Sequence, residues 1–213
     1  MTVPVTCPRC GAALRAPGLM DSAWKCERHG PVTPLRVLPR AGSEHLRQLA
    51  PHAAVPVWSP HPLLPGWTLA GLATAGPEKA LTAVAVALSG PSPLGGPADL
   101  VLVAEEPGTG YGARVAGLES LDPGDVAVGV PDARVEASGH DTPLWRCDSA
   151  PDRCAFVGEA GGVWLWAVLW PPAAELVLLE HVELHDLRQD HHAAEDLPHG
   201  APSSRLDAAV PAR

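Results

Sequence analysis

Proline and glycine break this chain too often for any long helix to form. Its 213 residues include 25 Pro and 21 Gly, roughly one residue in five where about one in eight is usual. A coiled coil or long helical bundle is excluded, and short strands joined by turns are favoured. The chain still has the means to build a core, since 46% of it is hydrophobic and 18% charged, which argues against wholesale disorder. Ile and Asn are absent and seven Trp dominate the aromatics. Each Trp is expected to hold a position that a smaller apolar residue would not fill.

Charge divides the chain. Residues 1–40 carry six basic side chains (Arg9, Arg15, Lys25, Arg28, Arg36, Arg40) against only Asp21 and Glu27, within an overall net charge of -9. The acidic excess therefore lies after residue 40, and two modules with different surfaces are expected. Broad binding to nucleic acid or to anionic membranes is disfavoured. The longest apolar stretch, Val163 to Trp170, is well short of the roughly 18 residues of a membrane span. No basic start with an apolar signal core precedes Cys7, so the expected location is the cytoplasm.

The strongest motif lies in the basic part. Cys7-Pro8-Arg9-Cys10-Gly11 is followed by Cys26-Glu27-Arg28-His29-Gly30, a C-x2-C-x15-C-x2-H spacing. Each tight turn aims two donor atoms at one point, and two such turns complete a tetrahedral shell. Gly11 and Gly30 follow their turns, where positive φ is often required. The expectation is a zinc ribbon over 1–36, with structural Zn²⁺ held by Cys7, Cys10, Cys26 and His29. The competing readings are an unmetallated hairpin and a redox C-x2-C; the presence of a second turn and the lack of a βαβ context count against the redox site.

Residues 37–66 read as a Pro-rich linker with a short helix over Ser43 to Leu49. Within it, Val55 to Trp67 is extended, because each Pro keeps its predecessor out of the helical region. Residues 67–190 read as a β-rich α+β domain on a mainly antiparallel, curved sheet, and 191–213 as a polar, flexible tail. A hairpin is expected from Trp67–Ala75 and Leu81–Leu88, then a buried strand over Leu100–Ala104. Further strands are expected at Val126–Val130, Arg134–Ala137, Pro143–Cys147, Cys154–Gly158, Val163–Trp170 and Glu175–Leu184. One helix is expected, over Gly110 to Leu118. Trp164, Trp166 and Trp170 share a strand face and are read as core before ligand platform.

Other chemistry is weaker. Pro107 to Ala113 has the strand-loop-helix order of a phosphate cradle, but it lacks the P-loop pattern and follows Glu105 and Glu106. These two acids face opposite ways on a strand and make an unlikely catalytic couple. His181, Glu183, His185, Asp186, Asp190, His191, His192, Glu195 and His199 offer a second metal site, against the plainer reading of a solvated face and polar tail. Cys147 and Cys154 flank a hairpin loop, where a disulfide is geometrically possible but free thiols are favoured.

Taken together, CPRCG, CERHG, VPVWSPHPLLPGW, SGPSPLGGPADLVLVAEEPGTGYGAR and GVWLWAVLWP followed by LHDLR resemble an uncharacterised actinobacterial family of about this length. The resemblance covers nearly the whole chain and places that family's zinc knuckle at Cys7, Cys10, Cys26 and His29. Members are sometimes labelled phosphotransacetylase, yet no residue set here carries that chemistry. The leading expectation is a zinc-stabilised, non-enzymatic interaction or regulatory protein with protein partners. The alternatives are an enzyme or small-ligand protein with a pocket near Glu105 and Arg114, and a nucleic-acid factor using the basic ribbon.

Overall fold

A computed structural model describes residues 5–19, 21–38, 40–190, 192–194 and 197–207. The dominant feature is one 11-stranded sheet built from β1 (Val5–Thr6), β4 (Leu35–Leu38), β5 (Trp58–Pro60), β6 (Thr68–Ala75), β7 (Ala83–Pro91), β8 (Pro97–Glu105), β9 (Ala133–Ala137), β10 (His140–Cys147), β11 (Cys154–Ala160), β12 (Val163–Trp170) and β13 (Glu183–Asp186). A separate hairpin pairs β2 (Lys25–Cys26) with β3 (Gly30–Pro31). Spatial order is β1-β4-β6-β7-β8-β12-β11-β10-β9-β13-β5, and the pairings are antiparallel except β9 with β13. The β-rich, mainly antiparallel class expected from the turns is therefore present. No helix among the described residues is long and apolar enough to cross a membrane.

Apolar residues on both faces of the central strands make two cores. One gathers Trp58, Trp67, Leu100, Leu102, Leu165 and Leu169 under helix α1 (Ser43–Leu49). The other gathers Val101, Val103, Trp166, Val168 and Trp170 under helix α2 (Tyr111–Ala116). β12 runs between β8 and β11, which explains its two apolar faces. Trp166 and Trp170 are buried in that second core, as the sequence suggests.

α2 lies very close to the sheet. A Cβ on Gly112 would stand 2.3 Å from Trp166 Cδ1, so the absence of a side chain is what admits the indole. Gly112→Ala is expected to destabilise by about 1–3 kcal/mol through overpacking, although alanine has the better helix propensity. A lowered urea midpoint supports this contact; a raised one contradicts it.

The Val55–Trp67 segment packs into the sheet domain. Val55, Val57, Trp58 and Trp67 are buried, and β5 pairs with β13 while packing across β7 and β8. Asp186 holds it in place by accepting the Val57 N–H at 3.0 Å, with Arg188 paired to the same carboxylate. Thus the stretch expected as a linker supplies a sheet edge, and β4 carries the sheet across the boundary drawn at residue 36.

Two expected strands are corrected. Val126–Val130 forms no strand, and Val128 and Val130 are exposed, because no neighbour pairs with them. Glu175–Leu184 divides into a 3-10 helix over Pro172–Leu179 and the short β13. The C-terminal stretch, expected as a flexible tail, has packed portions. β4 covers only Leu72–Ala75 of β6, and the open edge beyond accepts residues 198–203 through Leu69 N–H to Pro198 O and Ser203 N–H to Ala70 O. His191 and Glu195 lie outside the described residues.

Candidate metal centre

The four donor residues arrive on two turns. After β1, the Gly11 N–H donates to Cys7 O at 2.8 Å and the Cys7 N–H to Ala12 O at 2.8 Å, closing the first turn. Gly11 has φ +74°, and a Cβ there would stand 3.1 Å from the Arg114 guanidinium. The second turn is the β2–β3 hairpin, in which Cys26 opposes Gly30, itself at φ +67°. Reciprocal Arg15 and Lys25 backbone hydrogen bonds tie the two turns together.

The donor atoms of Cys7, Cys10, Cys26 and His29 all lie within 4.8 Å of one another. Cys7 Sγ is 3.5 Å from His29 Nδ1, Cys10 Sγ is 3.7 Å from Cys26 Sγ, and Cys26 Sγ is 3.7 Å from His29 Nδ1. Cys7 and Cys26 are buried, while Cys10 and His29 are half-buried. Burial pushes the Cys7 thiol up to about 12, against the N–H groups of Arg9 and Cys10. For Cys26 burial also raises the pKa, but the Arg28 and His29 N–H groups with the His29 and Cys10 side chains bring it down to about 6. The cluster can hold a metal ion.

The sheet supports this cluster from below. Arg114, buried on α2, donates from Nη1 to Cys7 O at 3.2 Å. Arg9, between the first two cysteines, donates to Gly108 O at 2.8 Å. Glu105 ends β8 and is buried; its two oxygens accept the Tyr111 N–H at 2.8 Å and the Gly112 N–H at 3.0 Å. The Glu105 carboxyl group here occupies the amides that an external phosphate would use at a helix start. Sequence reasoning placed Glu105 and Glu106 on opposite sides, and Glu106 is indeed exposed. It did not show that Glu105 accepts the first N–H groups of α2 and so fixes Arg114 under the Cys/His cluster. An acid six residues before a Gly-rich helix start was the available signal.

The remaining candidates are engaged internally. His185 lies between Asp190 at 2.7 Å and Glu183 at 2.8 Å, so both ring nitrogens are taken by carboxylates. The Asp190 carboxylate raises the His185 pKa, burial opposes it, and Glu183 adds to the rise. Asp186 serves β5 and Arg188, and His181 is exposed beside Glu136. The Cys/His cluster is the one such metal-ligand grouping among the described residues. Cys147 and Cys154 are buried free thiols; Cys147 opposes Ala155 across the hairpin.

Fold and site together define a β-rich protein whose N-terminal Cys/His cluster is seated against a large, mainly antiparallel sheet. The chain belongs to the family of unknown function DUF6758, whose model matches residues 1–206. No curated protein and no solved structure matches it.

Proposed function

We propose that Cys7, Cys10, Cys26 and His29 hold a structural zinc ion, and that the chain is a cytoplasmic interaction or regulatory protein acting through protein contacts. The observation that carries the zinc reading is the shape of the donor set. Zn–S bonds of about 2.3 Å and Zn–N bonds of about 2.0–2.1 Å, arranged tetrahedrally, separate donor atoms by about 3.5–3.8 Å. Three of the six donor pairs are 3.5, 3.7 and 3.7 Å apart, and all six lie within 4.8 Å. Three thiolates and an imidazole suit zinc, and four protein ligands leave no open position for a reactive water. Such an ion stabilises the ribbon and performs no chemistry.

The non-enzymatic half rests on how the polar groups of α2 are used. The Tyr111 and Gly112 amides are committed to Glu105, and Arg114 is committed to Cys7 O. Phosphotransacetylase chemistry has no cradle there. Metal analysis of the purified full chain is expected to give one zinc per chain, with no turnover of acetyl phosphate and coenzyme A. Transfer abolished by Glu105→Gln would overturn the non-enzymatic reading, and metal-free folded protein would overturn the zinc reading.

A further inference from the structure

A cleft of about 520 Å³ opens between the metal ribbon and the end of the sheet. Its walls come from both: Arg9, Ser22, Trp24 and Thr33 from the ribbon side, Arg36 from β4, and Thr109 from the loop before α2. The volume falls in the range of about 300–1,000 Å³ typical of small-molecule sites. Several prolines complete the lining and make the walls stiff.

The charged residues lining this cleft are two arginines, while Asp122 accepts the Gly108 N–H behind the wall and Glu78 shares a neighbouring pocket with Arg36. Arg9 and Arg36 both line it, no acidic side chain does, and neither arginine pairs with a carboxylate among the described residues. Arg9 uses one terminal nitrogen on Gly108 O, while its Nε is buried without a hydrogen-bond partner. Arg36 has only a long 3.4 Å contact to Gly76 O. Asp21, next to the lining residue Ser22, is paired with Lys25. An anion in the cleft would be met by the guanidinium nitrogens that its lining exposes, not by this buried Nε.

We propose that this cleft binds a small organic anion, a phosphate or carboxylate head on a flat apolar body. Arg9 and Arg36 hold the head, the Ser22, Thr33 and Thr109 hydroxyls supply further donors, and Trp24 provides aromatic surface for the body. The inference goes beyond the structural-zinc reading and stands independently of it. Because Arg9 lies between Cys7 and Cys10, occupancy of the cleft bears directly on the metal ribbon. A concave site with a pinned Arg9 suits a compact ligand better than a nucleic-acid backbone, which needs an extended basic track.

Titration calorimetry on the full, metal-loaded chain tests this with phenyl phosphate, benzoate, inorganic phosphate and neutral phenol. Saturable binding is expected for phenyl phosphate or benzoate, which distinguishes the two head groups, with inorganic phosphate weaker and phenol silent. Arg36→Gln, a half-buried position with only one weak contact, is expected to weaken binding about tenfold while leaving metal content and melting unchanged. Arg9→Gln should weaken it similarly. No saturable binding of either aromatic anion, or binding unchanged in Arg36→Gln, would overturn the proposal. So would tight single-stranded oligonucleotide binding that requires Arg9 and Arg36 without any small-anion binding. Metal content measured on the same samples separates failure of this site from failure of the zinc assignment.

Discussion

Cys10→Ser is expected to release the metal and loosen residues 5–38 while leaving the central sheet folded. Apparent structural zinc binding in small peptides contributes about 10–16 kcal/mol to folding, so losing one of four ligands removes most of the ribbon's stability. The ribbon has little else. β1, β2 and β3 have two residues each, and Cys7 and Cys26 are its deeply buried hydrophobic positions before Leu35. By contrast β8 and β12 lie between two apolar cores and do not depend on the cluster. Hydrogen exchange should therefore show loss of protection at Gly11, Arg15 and Lys25 and retained protection at Val101 and Val168. Cys147→Ser, which alters a buried thiol remote in sequence from the cluster, should release no metal. An unchanged exchange pattern in Cys10→Ser would contradict this division.

Glu105→Ala is expected to destabilise the whole fold by about 2–6 kcal/mol, because two buried N–H groups each lose a partner at about 1–3 kcal/mol apiece. The effect reaches the Cys/His cluster as well, since α2 carries Arg114 to Cys7 O. Glu105→Gln is milder. Its amide oxygen keeps one N–H, and its NH2 group faces the other without accepting it.

The two variants also carry a pH signature. Burial pushes the Glu105 carboxyl up to about 8 from an ordinary 4.5, against the Tyr111 and Gly112 N–H groups. The folded protein then binds a proton that the unfolded chain has released, so this group's contribution is full below pH 4.5 and is lost as pH rises through about 8. Wild type should lose stability relative to Glu105→Gln between pH 5 and pH 9, and the gap between them should narrow. Urea denaturation at both pH values reads this directly; a gap that stays constant from pH 5 to pH 9 would show that the carboxyl is ionised throughout.

What could be read from sequence was the local code. The C-x2-C and C-x2-H turns, the hairpin around Gly76-Pro77 and the paired apolar faces of β12 each follow from residues close in the chain. Non-local pairing escaped that reading. β5 is an edge strand because Asp186, far along the chain, captures the Val57 N–H. The strand expected over Glu175–Leu184 fails because a short apolar run fits strand and helix alike, and the Pro at the start of Pro172–Leu179 suits a helical first turn. Val126, Val128 and Val130 alternate like a strand, yet alternation without a partner strand leaves them outside the sheet. The position of Glu105 beneath α2 was hidden for a related reason. Whether an acid ending an apolar strand meets water or backbone amides depends on where the next loop turns.

The central claim is a closed zinc site of three sulfurs and one nitrogen, and X-ray absorption at the zinc edge of the purified full chain tests it most directly. The account predicts three Zn–S distances near 2.3 Å, one Zn–N distance near 2.0–2.1 Å, and no water in the shell. A shell containing water, one with fewer than three sulfurs, or no bound zinc in folded protein would contradict it.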